Sequence, residues 1–270
     1  MLFRSQAQRD LSISYEKRGD VQLQSGEVTE ALGSYQKDLE ISQKLAAADP
    51  SDALAHRDLS LSYDRLGDVQ LQSGEVAEAL GFYQKGLEIC QKLAAADPSD
   101  AQAQRDLSIS YNNIGDAQLQ SGQVTEALGS YQKMLEISQK LAAADPRNAS
   151  VLRVLSVSYN NIGDAQLQSG QVTEALGSYQ KALDIRQKLA AADPSDAQGQ
   201  SDLVVSFAKL GLTNQQFKDH VKAIMWFQQG LDLLERLERS ERLAPPLKER
   251  IPILKGAIKE SQEQIQNDKK

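Results

Sequence analysis

The stretch DLSISYNNIGD at residues 106–116 decides the fold, because it is one of five copies. It stands as DLSISYEKRGD at 10–20, DLSLSYDRLGD at 58–68, VLSVSYNNIGD at 154–164 and, worn down, DLVVSFAKLGL at 202–212. Successive starts are 48 residues apart. A fixed period in this range signals stacked supersecondary units, each unable to bury its apolar face alone and each touching only its neighbours. Ser110 to Lys133 and Ser158 to Lys181 are identical over 24 residues, so no single repeat is singled out as a pocket. Such a chain makes surface rather than a catalytic cleft.

Working outward from 106–116, the unit reads as a pair of helices. Asp97, Pro98, Ser99 and Asp100 combine side-chain caps, a helix-compatible proline and early negative charge, which predicts a helix start. Leu107, Tyr111 and Ile114 then recur at spacings of four and three, the apolar face of an amphipathic helix. Ser121 and Gly122 predict its end, since glycine accepts the left-handed conformation that closes helices. A second periodic run follows through Ala127, Leu128, Tyr131, Leu135, Ile137 and Leu141 to AAADP. Helical spacing and abundant Ala, Leu, Glu, Gln and Lys disfavour strands, so the fold class is all-α.

These residues resemble the tetratricopeptide repeat family. Its helix-pair signature of aromatic, large apolar residue, Gly, Ala, aromatic and proline is met by Tyr111, Ile114, Gly115, Ala127, Tyr131 and Pro146. It is met again by Tyr159, Ile162, Gly163, Ala175, Tyr179 and Pro194. The resemblance covers residues 5–239 and implies an α-solenoid of five helix-turn-helix repeats, about 5–48, 53–96, 101–144, 149–192 and 197–239, wound in a right-handed superhelix. Residues 245–270 read as a C-terminal capping helix, with Ile251, Leu254 and Ile258 on one face. Trp226 is expected to pack against it.

The chain departs from the family pattern in several places. The usual period is about 34 residues, so each unit carries about 14 more, which lengthens each helix by roughly 10 Å if they are shared evenly. The alanine expected late in the second helix is Asp38, Gly86, Met134, Ala182 and Gly230 in turn, and Arg18 replaces the apolar residue present as Leu66, Ile114, Ile162 and Leu210. Gly33, Gly81, Gly129 and Gly177 sit inside second helices, where glycine costs about 1 kcal/mol relative to alanine. Close approach of the next repeat is the expected compensation. The first helix lacks a capping signature, so it is expected either to follow a missing repeat of a longer protein or to pair with a second copy in a homodimer.

Along each first helix, residues spaced four, three and four share one stripe. The stripes are Arg9, Ile13, Glu16 and Asp20; Arg57, Leu61, Asp64 and Asp68; Arg105, Ile109, Asn112 and Asp116; and Arg153, Val157, Asn160 and Asp164. The resemblance implies that first helices line a concave surface holding an extended peptide. The candidate partner-binding residues are therefore Arg57, Asp64, Asp68, Arg105, Asn112, Asn113, Asp116, Arg153, Asn160, Asn161 and Asp164. The alternative reading is a solvated polar face copied with the repeat. The Asp column argues against a clamp for a ligand's terminal carboxylate, although Lys17, Arg65 and Lys209 share the column of Asn113 and Asn161.

Composition narrows the function further. Charged residues are 25% and hydrophobic residues 40%, an ordinary globular balance. The net charge of −7 is uneven: from Glu235 onward nine Lys/Arg face seven Asp/Glu, leaving −9 for the repeats. That argues against nucleic acid and mildly favours basic or neutral ligands. No apolar run reaches the roughly 20 residues of a membrane helix, and MLFRSQAQRD lacks the apolar core of a secretory signal. With Cys90 alone there is no internal disulfide, and a cytoplasmic location is expected. His56 and His220 lie far apart in sequence, and no metal-ligand cluster, phosphate loop or nucleophile elbow is present, so neither metal, cofactor nor catalysis is expected. The expected function is a non-catalytic protein-interaction scaffold. The alternative is a regulatory or oligomerisation fragment of a larger protein whose N-terminal effector or enzyme part is missing.

Overall fold

The computed structural model describes residues 2–268, and all their regular structure is helical. Five pairs follow one another: α1 (Leu2–Gln24) and α2 (Val28–Ala48), α3 (Ala53–Gln72) and α4 (Val76–Ala96), α5 (Ala101–Gln120) and α6 (Val124–Ala144), α7 (Ala149–Gln168) and α8 (Val172–Ala192), α9 (Ala197–Gln216) and α10 (His220–Arg239). The short α11 (Pro245–Lys248) and α12 (Arg250–Asn267) come after them. Residues up to Ile137 form one compact unit and those from Ser138 form another. Within the first, α1 packs on α2, α2 on α3, α3 on α4 and α4 on α5; within the second, α7 to α10 pack in the same order and α12 covers α10. The chain is an all-α solenoid of consecutively packed helix pairs.

The first helices of the second to fifth pairs start with the same local chemistry. Asp52, Asp100 and Asn148 accept from the backbone N–H groups two and three residues on, while Asp196 accepts from that of Gln198, so each satisfies donors that the first turn leaves without a partner. One step earlier, the Asp49, Asp97 and Asp193 carboxylates accept from the backbone and hydroxyl of the following serine, bonds that lower their pKa values. Between the two helices of a pair, Gly26, Gly74, Gly122 and Gly170 turn the chain at φ of 78° to 82°.

Each pair closes on one aromatic. Tyr35, Tyr83, Tyr131, Tyr179 and Phe227 are fully buried, and each ring packs against a first-helix glycine, Gly19, Gly67, Gly115, Gly163 or Gly211. Successive pairs are then tied by a second repeated contact: the Gln43, Gln91 and Gln139 amides donate to the Tyr63, Tyr111 and Tyr159 hydroxyls at 3.0 to 3.1 Å. Between them runs a buried polar column. Ser42 bonds Ser12 and Ser62, Ser138 bonds Ser158, and in the fourth repeat the Arg186 guanidinium donates to Ser156 and Ser206. Cys90 holds the same column between Ser60 and Ser110, and burial raises its thiol pKa.

The glycines inside the second helices play a different part from the one expected. A Cβ built on Gly33, Gly81, Gly129 or Gly177 meets nothing within 4 Å, so no neighbouring helix presses on them. The reason is angular. Gly81 lies two residues from both buried Ala79 and buried Tyr83, about 200° round the helix from each, and so faces outward. The glycines that do allow close approach include those under the aromatic rings, Gly86, where a Cβ would lie 2.9 Å from an Asp64 oxygen of α3, and Gly230, where a Cβ would lie 3.2 Å from Leu254 of α12. Leu254 joins Leu231, Leu234 and Phe207 in the terminal core, while the Trp226 ring stacks on Phe207 of α9 at 6.2 Å.

Candidate functional site

The first-helix stripe falls into three parts. At its N-terminal end, the arginines reach across to the next first helix. Arg9 pairs with Asp58 at 2.8 Å and Asp52 at 3.3 Å, and the Arg57 Nε donates to Asp106 at 2.6 Å. In the second unit Arg153 pairs with Asp196 at 2.5 Å and Asp202 at 3.3 Å. Arg105 differs: among the described residues it makes no ion pair, and its Nε is buried with no hydrogen-bond partner, as is that of the ion-paired Arg153.

At the C-terminal end, the Asp column has a structural occupation. Tyr35, Tyr83, Tyr131 and Tyr179 donate their hydroxyls to Asp20, Asp68, Asp116 and Asp164 at 2.6 to 2.8 Å. The fifth repeat supplies the control, because there the tyrosine is Phe227 and the aspartate is Leu212. Asp164 also takes Lys209 at 2.5 Å. Burial, and then the neighbouring carboxylate, raise the Tyr83 and Tyr179 pKa values far above the ordinary phenol.

The middle positions diverge. Asn112 donates to Asp116 at 2.9 Å, and the Asn113 side chain bonds Asp64. Asn160 is buried, and its amide oxygen accepts from Arg186 at 2.5 and 2.7 Å. Asp64 is 9% exposed with one carboxylate oxygen unpartnered, and its pKa is raised to about 7, chiefly by burial and then by Asp68. Arg65, the nearest cation in sequence, turns instead to Glu16 at 3.2 Å and Asp20 at 3.9 Å. Asn161 also interacts within the protein. Most polar groups of the residues singled out from the sequence are thus engaged inside the protein.

Sequence reasoning passed over the aliphatic member of each stripe. Ile13, Leu61 and Ile109 are each 41% exposed, and they recur at a spacing of one repeat. Ile13 and Leu61 line a crevice of about 40 Å³ floored by Ser12, Asp38, Ser42 and Ser62 and walled by Arg9, Asp58, Glu16 and Arg65. Burial raises the Asp38 pKa, and the Ser12 hydroxyl bonds its carboxylate. The signal was in the sequence, since positions 13, 61, 109, 157 and 205 are Ile, Leu, Ile, Val and Val. Among the described residues there is no group of three or more His, Cys, Asp or Glu arranged to hold a metal, and no helix long and apolar enough to cross a membrane.

Residues 106–188 match the family model described as tetratricopeptide repeat. Those residues, from within α5 to within α8, thus carry tetratricopeptide repeat sequence, and the helix pairs on either side repeat the same local pattern. Its fold is similar to that of BtubC from P. vanneervenii, at TM-score 0.63 and 18% identity over 90% of this chain and 89% of that one. It is also similar to a Podosopora anserina putative kinesin light chain with nearly identical TPR-like repeats, at TM-score 0.60 and 19% identity over 87% and 97%. A Rap protein complexed with Competence and Sporulation Factor is similar at TM-score 0.59 and 14% identity, over 94% of this chain and 63% of that one. No curated protein matches the sequence.

Proposed function

We propose that the chain is a non-catalytic protein-interaction scaffold that holds an extended peptide of a partner on its first-helix face. The observation that carries this reading is the aliphatic column Ile13, Leu61 and Ile109, half-exposed at a spacing of one repeat and framed by the Arg–Asp ties. Those ties fix the spacing of the rungs, and the aliphatic groups supply surface worth about 25 cal/mol per Å² when a ligand covers them. Exposed Asp68 adds a hydrogen-bond acceptor beside this column for a peptide backbone. The Rap protein of similar fold is seen complexed with Competence and Sporulation Factor, a precedent for such a fold holding a partner. A pull-down with Leu61→Glu and Ile109→Glu together is expected to lose the partners that wild type retains. Lys92→Glu, an exposed change on the second helix α4, is expected to keep them. Equal recovery by all three proteins would move the site elsewhere.

A second surface favours pairing with another copy of the chain. On α1, Val21 is 62% exposed, whereas its counterpart Val69 on α3 is 1% exposed, and Leu11 of the same helix is 48% exposed. Light scattering at rising concentration is expected to report a dimer that Leu11→Glu with Val21→Glu abolishes. A monodisperse monomer at every concentration would end this reading.

A further inference from the structure

We propose that Arg105 is the point at which this surface grips a carboxylate of its partner, so that the peptide held carries an acidic residue two positions from an aliphatic one. The inference rests on the first-helix face being the binding surface. Its starting point is a break in an otherwise regular pattern. Arg9, Arg57 and Arg153 are each neutralised by an aspartate 49 residues on, Asp58, Asp106 and Asp202, and Arg9 and Arg153 also by one 43 residues on, Asp52 and Asp196. For Arg105 those sequence positions hold Val154 and Asn148, neither of them a carboxylate. Among the described residues Arg105 makes no ion pair, and its buried Nε has no acceptor. A guanidinium cannot shed its charge in a protein, and its planar fork matches a carboxylate bidentately.

The neighbours fit an acidic guest. Asp106 is already held by Arg57 at 2.6 Å. Asp116 lies eleven residues along α5, about 16 Å away, and is occupied by Asn112 and Tyr131. At that distance its field is largely screened at physiological salt, as is most of the net negative charge of the array. Exposed Ile109 follows Arg105 by one turn, about 6 Å along the helix, and residues two apart on an extended strand are separated by about 6.7 Å. A strand laid along α5 therefore sets a carboxylate on Arg105 and an aliphatic side chain on Ile109 together.

The test is selection of random twelve-residue peptides displayed on phage against the wild-type chain, followed by titration of a selected synthetic peptide. An acidic residue two positions from an aliphatic one is the expected motif. Changing that Glu to Gln in the peptide, or Arg105→Gln in the protein, should each weaken binding about tenfold, and the two together no further than either alone. Arg105→Gln removes no ion pair within the protein, so its melting temperature should equal that of wild type. Arg105→Lys, which keeps the charge and loses the fork, should recover part of the affinity. Selected peptides without acidic enrichment, or a Glu-to-Gln effect of the same size in wild type and Arg105→Gln, would overturn the proposal. If such peptides still lose binding to Leu61→Glu, the surface survives and only the role of Arg105 falls. Peptides indifferent to both changes, or no peptide selected at all, overturn both.

Discussion

Gly67→Ala is expected to destabilise the protein by about 2–3 kcal/mol, whereas Gly81→Ala in the same repeat is expected to stabilise it by about 1 kcal/mol. Both glycines sit in helices, so helix propensity alone predicts a gain in each case. The difference is what a methyl group meets. At Gly67 it would lie 2.4 Å from Cε1 of Tyr83, a ring that is fully buried and pinned by its hydroxyl to Asp68 at 2.8 Å. The ring cannot swing aside without leaving that carboxylate, so overpacking is compounded by a strained or broken buried hydrogen bond. At Gly81 the methyl points into open space and only the backbone entropy saving remains. Urea denaturation of the two single variants reads both effects. Two shifts of the same sign would mean that the ring-on-glycine contact does not control how each pair closes.

The period of 48 made the helix pairs, their caps and their order readable, because an error in reading one repeat is corrected by the other four. Asp100 as the cap of α5 and Gly122 as the turn after it follow from residue chemistry that is local in sequence. The second-helix glycines were misread because their cost was weighed without their angle on the helix; two residues from Tyr83 is nearly the opposite face. The polar stripe was harder. Its bonds join residues 15 apart, as in Tyr83 to Asp68, or 49 apart, as in Arg57 to Asp106. Within a single repeat such residues look free to bind a ligand, and only the packing of one pair on the next shows where their charges go. Two internal substitutions did carry the answer: Phe227 with Leu212 marks the Tyr–Asp bond by losing both partners, and Val154 with Asn148 marks the arginine that is left over.

Asp64→Asn is expected to raise stability by about 4 kcal/mol at pH 8 and to leave it nearly unchanged at pH 4. Asp64 is almost fully buried, and one oxygen occupies the space left by Gly86, where a Cβ would come within 2.9 Å of it. Asp68 and Asp106 repel its charge, Arg65 attracts it weakly while engaged with Glu16, and the Asn113 hydrogen bond offsets only part of the burial cost. The folded pKa, raised to about 7, stands above the ordinary value of 3.8. Below pH 4 the group is protonated in both folded and unfolded chains and costs nothing. Between pH 4 and 7 the unfolded chain ionises first, so stability falls as pH rises, and above pH 7 the folded protein holds a buried charge at the full penalty. An asparagine has the same shape, carries no charge and still offers an oxygen to Asn113; the third and fourth repeats already place Asn112 and Asn160 in this column. Urea denaturation of both proteins at pH 4, 6 and 8 should therefore give curves that meet at low pH and separate as pH rises. A constant difference at all three values would show that shape, rather than the buried charge, distinguishes the two side chains.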